Sequence, residues 1–493
     1  MFDFFFGLES SILITLVLSL GLVLAFEFVN GFHDTANAVA TVIYTKAMKP
    51  TRAVILSGFF NFLGVFFGGL AVAYSIVNLL PMDLLANMNS FKGLLMVFSL
   101  LTSALIWNLG TWYFGIPASS SHTLIGSILG VGLANAVING ASIAHGVNWA
   151  KANDVFLSLL LSPIVGGGLA GLFLLFLLKW KPVSNIHKTP HQHHDIAKKK
   201  RPPFWPRFVL ICSAMGMSFS HGSNDGQKGV GLMMLVLFSL VPASFIVNMN
   251  SDSFEIAGTR LAAQNLNDFY AEHQAKIHAF HPRSENMGLT QDSSAKFICS
   301  PEDVTTHVTA LTDIIQENIK SFDQLTPENR WKVRNEVMCL ADITKKYQRI
   351  ETIASKDRQN LKSTANALTR TTQYAPIWVL IAVASALGLG TMVGWRRVVE
   401  TVGGKIGKKE MTYAQGMSAQ IMAGTSIYLA TLFGFPVSTT HILSSAVAGT
   451  MVANKAGLQM STVKTILMAW VLTLPVTIAL SFSLFWIGAQ LID

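Results

Sequence analysis

Four short polar sequences interrupt an otherwise apolar chain, and they fall into two pairs. Gly31-Phe32-His33-Asp34 is matched by Gly222-Ser223-Asn224-Asp225. Gly115-Ile116-Pro117-Ala118-Ser119-Ser120-Ser121-His122 is matched by Gly434-Phe435-Pro436-Val437-Ser438-Thr439-Thr440-His441. A carboxylate set among imidazole and carboxamide groups can hold a proton or a small cation. Hydroxyls that follow a proline at the start of an apolar helix can meet free backbone amides at the positive helix end, a setting that suits a tetrahedral oxyanion. Each feature also has a plainer reading. Asp34 or Asp225 can be a buried carboxyl paired with His33 or Lys228 for structural reasons, and Ser or Thr at a helix start is a common N-cap. Two copies at the same spacing argue against both, because polar groups at bilayer depth are expensive and mark pathways.

The elements that carry these motifs are membrane helices. Apolar residues make up 51% of the chain and charged ones 13%, and the mean hydropathy is +0.45. Apolar segments are expected at 10–45, 52–79, 93–114, 117–140 and 155–178, then at 207–249, 374–394, 413–433, 436–454 and 464–491. In each series of five the Asp motif breaks the first segment, near Asn30 to Asn37 and near Ser220 to Lys228, and the Pro-hydroxyl-His motif opens the fourth. Unwound backbone at those breaks would offer carbonyls to an ion. Asp34 precedes Pro117 by 83 residues and Asp225 precedes Pro436 by 211. The excess matches a polar insert. The expected divisions are a first membrane repeat at 1–178, a basic linker at 179–206, the start of a second repeat at 207–249, a helical insert at 250–372 and the remainder of the second repeat at 373–493.

Charge orients the halves. Lys179 to Arg207 is strongly basic and belongs in the cytoplasm, as does the loop bearing Arg396, Arg397, Lys405, Lys408 and Lys409. The basic turn Lys46, Lys49, Arg52 is also inside, so Pro81 to Ser90 is outside. That outer loop corresponds to the inner 395–411 loop, so equivalent loops face opposite sides. The fold class is therefore all-α and polytopic: two inverted-topology repeats of about five transmembrane segments with broken or re-entrant helices, plus a small external α-helical insert. Ten net crossings with both termini outside are expected. From Asp252 to Arg370 there are sixteen acidic and fifteen basic residues, a near balance that fits an external domain. The net +9 of the chain then reflects orientation and not a nucleic-acid partner. Met1 to Phe6 has no basic run and no cleavage site follows, so the first segment is retained.

The four motifs resemble those of the inorganic phosphate transporter (PiT) family, and the match is close to its bacterial low-affinity permeases. It rests on Gly31-Phe32-His33-Asp34-Thr35-Ala36-Asn37, Gly222-Ser223-Asn224-Asp225-Gly226-Gln227-Lys228 and the two Pro-hydroxyl-His sequences. It covers both membrane halves. The resemblance implies phosphate symport with a cation, protons in bacterial permeases and sodium in others, with arsenate and divalent metal-phosphate as further cargo. His33 stands where the family usually has Asn, and Lys228 where it usually has a closing Asn. An imidazole titrates near ~6.5 and an ammonium can fill the space of a coordinated sodium. Proton coupling is expected, with Asp34, Asn37, His33, Asp225, Asn224, Gln227 and Lys228 as the coupling-ion relay. Ser119, Ser120, Ser121, Ser438, Thr439 and Thr440 are the expected phosphate ligands, with His122 and His441 secondary.

Other signals are weaker. Gly403-Gly404-Lys405 lacks the Walker spacing and reads as a solvated turn. His187, His191, His193 and His194 read as part of a flexible linker, with metal binding as the alternative. Cys299 and Cys339 can form a disulfide if the insert is external. Leu311, Ile314, Ile315, Ile319 and the series Val333, Val337, Leu340, Ile343, Tyr347, Ile350 predict amphipathic helices there. No enzyme, cofactor or resident metal is expected. The expected setting is the bacterial inner membrane, among lipid, as a homodimer with a periplasmic insert. A passive oxyanion channel or exchanger is the other class, and the paired aspartates speak against it.

Overall fold

The computed structural model describes residues 8–80, 91–143, 146–181, 184–198, 201–280, 299–393 and 396–491, and among these it is all-helical. It contains two compact units, the described part of residues 237–374 forming one and, from residue 9 on, the remaining described residues the other. The sequence-expected Pro81 to Ser90 loop and the extreme N-terminus lie outside the described residues.

The larger unit begins with α1 (Ser10–Tyr44), α2 (Pro50–Phe67), α3 (Ala71–Val77), α4 (Phe91–Tyr113), α5 (Ser120–Ile138) and α6 (Trp149–Trp180). After α7 (Pro190–Ala197) comes α8 (Phe204–Leu240), whose last turn enters the smaller unit. The smaller unit continues with α9 (Pro242–Phe245), α10 (Ser253–Phe280), α11 (Val304–Ile314), α12 (Pro327–Gln348) and α13 (Ser355–Thr369). The chain then returns to the larger unit with α14 (Ile377–Thr391), α15 (Arg396–Gly404), α16 (Tyr413–Leu432), α17 (Thr439–Ala453) and α18 (Met460–Gln490).

Among the described residues, six helices are long and apolar enough to cross a bilayer: α1, α2, α4 from Gly93, α5, α6 from Lys151, and α18. α14 is apolar but shorter. α8 is 37 residues long, and its mean hydropathy is lowered by the polar run from Ser220 to Lys228. Burying such a run inside protein is how a membrane helix tolerates it.

Both Asp motifs lie within unbroken helix, so the expected breaks at Asn30 to Asn37 and Ser220 to Lys228 are corrected. The glycines there serve close packing instead. A Cβ at Gly31 would stand 2.8 Å from the Thr391 amide nitrogen, and one at Gly222 would stand 2.9 Å from the Asn61 Cα. Small residues let membrane helices approach backbone to backbone. The interruption falls elsewhere: the expected 52–79 segment is divided into α2 and α3 at Gly68 and Gly69, the latter with φ +80°. Pro117 and Pro436 do not occupy a first helical turn either, since α5 and α17 start three residues after them.

The linker contains an ordered helix, not only flexible chain. Thr189 and Gln192 close a capping box at the start of α7, and His193 packs edge-on against Tyr413. His191 pairs with Asp195 at 3.0 Å, so the tract is held by local contacts.

The smaller unit has its own core. Leu311, Ile315, Val333, Val337, Leu340, Ile343, Tyr347 and Ile350 are buried as the periodicity predicted, while Ile314 and Ile319 are half-buried. Cys299 and Cys339 form a disulfide with Cα atoms 5.3 Å apart. Arg334 is fully buried, donates to the carbonyls of Ile246 and Thr372 at 3.1 and 3.0 Å, and lies over the Phe238 ring. The Tyr347 hydroxyl donates to the Pro301 carbonyl at 2.6 Å, and burial pushes its phenol above the usual range.

Candidate functional site

The two Pro-hydroxyl-His sequences fold alike. Each is preceded by a glycine at positive φ, Gly115 at 64° and Gly434 at 70°, where a side chain would be strained. Extended chain then leads into Ser119 and Ser438, whose hydroxyls accept from the amides of His122 and His441 at 3.2 and 3.1 Å. Those two residues are N-caps, so their oxygens are already engaged with the helix ends. The next hydroxyls, Ser120, Ser121, Thr439 and Thr440, begin α5 and α17 and are buried.

These hydroxyls meet the aspartates. Thr440 donates to Asp34 Oδ1 at 2.9 Å and Ser120 to Oδ2 at 3.2 Å. Asn37 supports Thr440 with a 3.0 Å bond from its amide. His33 Nδ1 stands 2.9 Å from Asp34 Oδ1, and its Nε2 reaches Thr111 Oγ1 at 3.2 Å. The Thr439 hydroxyl stands 3.1 Å from Asp225 Oδ2 and 3.4 Å from Asp34 Oδ2. Having one proton, it serves one carboxylate at a time.

Asp225 has a cation of its own. Lys228 Nζ lies 2.6 Å from Asp225 Oδ1, donates to the Val437 carbonyl at 3.1 Å and bonds Ser121, which itself donates to that carbonyl at 2.8 Å. The expected anion ligands and several of the expected relay residues thus meet in one buried cluster.

Other expected relay residues turn away. Gln227 sits two positions after Asp225, close to the opposite face of the helix. Its amide donates to Gly68 O and Ser223 O and accepts from the Val72 amide at 2.8 Å, so it clamps the α2–α3 break. Asn224 bonds Thr431, Phe435 O and the Val437 amide, which fixes the extended approach to α17. His122 and His441 lie beside each other, with ring centroids 4.5 Å apart, and His441 stacks on Trp470 at 4.0 Å.

Sequence reasoning missed His221. Its Nε2 lies 3.3 Å from Asp225 Oδ2 and 3.6 Å from Asp34 Oδ2, and Nδ1 lies 3.0 Å from Asn61 Oδ1. Asp34, His221 and Asp225 present ligand atoms within 4.8 Å of one another, the arrangement among the described residues able to hold a small cation. The i,i+4 spacing of His221 and Asp225 was the available signal. Glu27 was missed as well. It is a fully buried acidic residue seven positions before Asp34 in an apolar run.

Apolar helices enclosing a desolvated cluster of carboxylates, ammonium, imidazoles and hydroxyls define a helical membrane transport protein. The phosphate transporter family (PHO4) matches residues 30–481 of this chain. The low-affinity inorganic phosphate transporter PitA of Escherichia coli K12 is 50% identical over 500 residues, covering 99% of this chain and 100% of that protein. PitB of the same strain is 49% identical and covers 100% of both chains. Among solved structures, the sodium-dependent phosphate transporter aligns with a TM-score of 0.52 at 20% identity, over 97% of this chain and 99% of that one, a likeness of fold alone. The chain belongs to the phosphate transporter family and is a membrane transporter, not an enzyme.

Proposed function

We propose that this protein imports inorganic phosphate by proton symport across a bacterial inner membrane, with arsenate and neutral metal-phosphate complexes as related cargo. The observation that carries the reading is the Lys228 ammonium, held 2.6 Å from Asp225 within the hydroxyl cluster. A fixed cation stands where a sodium ion would need to sit beside the second aspartate. Two carboxylates share one ammonium and the His221 imidazole between them, and phosphate adds more negative charge to a dry space. Such charge must be accompanied.

The hydroxyls supply the coupling. Ser120, Thr439 and Thr440 donate to carboxylates in this arrangement. A phosphate oxygen can compete with the carboxylates for those donors, and a proton entering with it offsets its charge, so cation and anion enter together. Ser119 and Ser438 act through the helix ends they cap.

Support for an inverted repeat, alternating its access around this site, comes from exchanged helix partners. α1 packs on α14 while α8 packs on α2, and α5 packs on α18 while α17 packs on α6. With ten crossings, the disulfide Cys299–Cys339 favours an external insert, since such bonds persist in oxidising compartments. Sodium coupling is the second reading, favoured by the Asp34, His221, Asp225 ligand set.

Labelled phosphate uptake in vesicles, with pH gradient, sodium and magnesium varied independently, tests the proposal. Accumulation should follow the pH gradient and collapse with a protonophore. Accumulation that requires sodium and ignores the pH gradient selects the second reading, and uptake that never exceeds equilibrium excludes symport.

A further inference from the structure

Glu27 stands apart from every other acidic group of the site. Its side chain is fully buried, and neither carboxyl oxygen has a hydrogen-bond donor among the described residues. Asn30, one turn along α1, is the neutral polar side chain that faces it, outside good hydrogen-bond geometry. Seven residues separate it from Asp34, which puts both on one face of α1 two turns apart. Across the helix interface it packs on the backbone of α8 at Gly229, where a Cβ would come within 2.6 Å of Glu27 Oε1. The space for this carboxyl therefore exists only because residue 229 is glycine, directly after Lys228.

The geometry points to Glu27 as the residue that takes up and releases the transported proton. This rests on the proton-symport reading and names its binding group. Asp34 has hydroxyl or imidazole neighbours at both oxygens, and Asp225 has Lys228. Their charges are provided for. An ionised Glu27 has no ion pair among the described residues and only the neutral Asn30 side chain to face it, and a buried unpaired charge is the costliest state available to a side chain. The neutral acid is tolerated while Lys228 is held by Asp225. The charged groups acting on Glu27 are Asp225, Lys228 and His221, all on α8. Of the other helices packed on α1, α14 has no ionisable residue. Among the described side chains, the rest carry Arg52 on α2, Tyr113 on α4, Glu400 on α15, Tyr413 and Tyr428 on α16, and His441 on α17. When phosphate draws on Lys228 and Ser121, the balance between Glu27 and Asp225 shifts. The proton passes between Glu27 and water on the side to which the site is open, and no other bond changes. The corresponding position before Asp225 is Ser218, which bonds Ser57 at 2.9 Å, so the device occurs once.

The test uses full-length protein in vesicles loaded with a pH-sensitive dye. Three quantities are read: exchange of labelled phosphate at equal pH, accumulation driven by an imposed pH gradient, and internal acidification on adding phosphate. Glu27→Gln keeps the packing on Gly229 and removes the titratable proton. It should retain exchange and lose accumulation and acidification roughly tenfold or more, whereas Glu27→Asp should keep all three. Gradient-driven accumulation in Glu27→Gln equal to native overturns the inference. So does loss of exchange together with accumulation in Glu27→Gln, or failure of Glu27→Asp to accumulate. If the native protein itself neither acidifies the lumen nor responds to the pH gradient, the symport reading fails, and not merely the part given to Glu27.

Discussion

Asp34 and Asp225 occupy equivalent places in the two motif copies, share His221 and Thr439, and differ in one charged neighbour. Around Asp34 stand hydroxyls and imidazoles, with Asn37 one turn along and bonded to Thr440. Around Asp225 the residue one turn along is Lys228, which closes an ion pair at 2.6 Å. One carboxylate is therefore held by groups that carry no fixed charge, while the other is paired with an ammonium from its own helix. The duplicated motif has kept its geometry while its charges have diverged.

Asparagine substitutions give the largest contrast. Asp225→Asn leaves the buried Lys228 without its counter-ion, which costs about 3–5 kcal/mol and abolishes accumulation. Asp34→Asn should also abolish accumulation but lower stability by only about 1 kcal/mol, since the partners it loses are mostly hydroxyls. Thermal unfolding of the purified variants checks this, and equal losses at both positions would break the asymmetry. Lys228→Asn makes the second copy resemble the first. Gradient-driven accumulation should fall roughly tenfold and uptake should become sodium-stimulated, read by varying sodium at fixed pH. Unchanged ion dependence would remove Lys228 from the coupling. The smallest effects belong where the copies agree. Ser119→Ala and Ser438→Ala should each cost about 1 kcal/mol in the same unfolding measurement, and a clearly unequal pair would mean that the caps too have diverged.

Much of this was legible in the residues. The duplicated motifs marked Asp34, Asp225 and the hydroxyls, and hydropathy marked the helices, because both signals are local in sequence. What was not legible depended on neighbours far along the chain. Gly31 and Gly222 look like helix breakers, yet the backbones of Thr391 and Asn61 lie against them, so the same residue type that suggests unwinding permits packing. Gln227 looked like a relay residue because it lies within the second Asp motif, but helical rotation turns it to the other face. His221 lacked a motif position, and its relation to Asp34 is set by the contact of α8 with α1. Glu27 carried a visible signal, a lone acid in an apolar run, which motif matching passed over.

The clamp formed by Gln227 has a mechanical side. Its amide grips Gly68 before the break and Val72 after it, while the next residue, Lys228, grips the second aspartate. Adjacent residues on one rigid helix thus hold a joint in the scaffold and a charge in the site. A turn of α8 that carried the ammonium away from Asp225 would carry Gln227 with it and pull on that joint between α2 and α3.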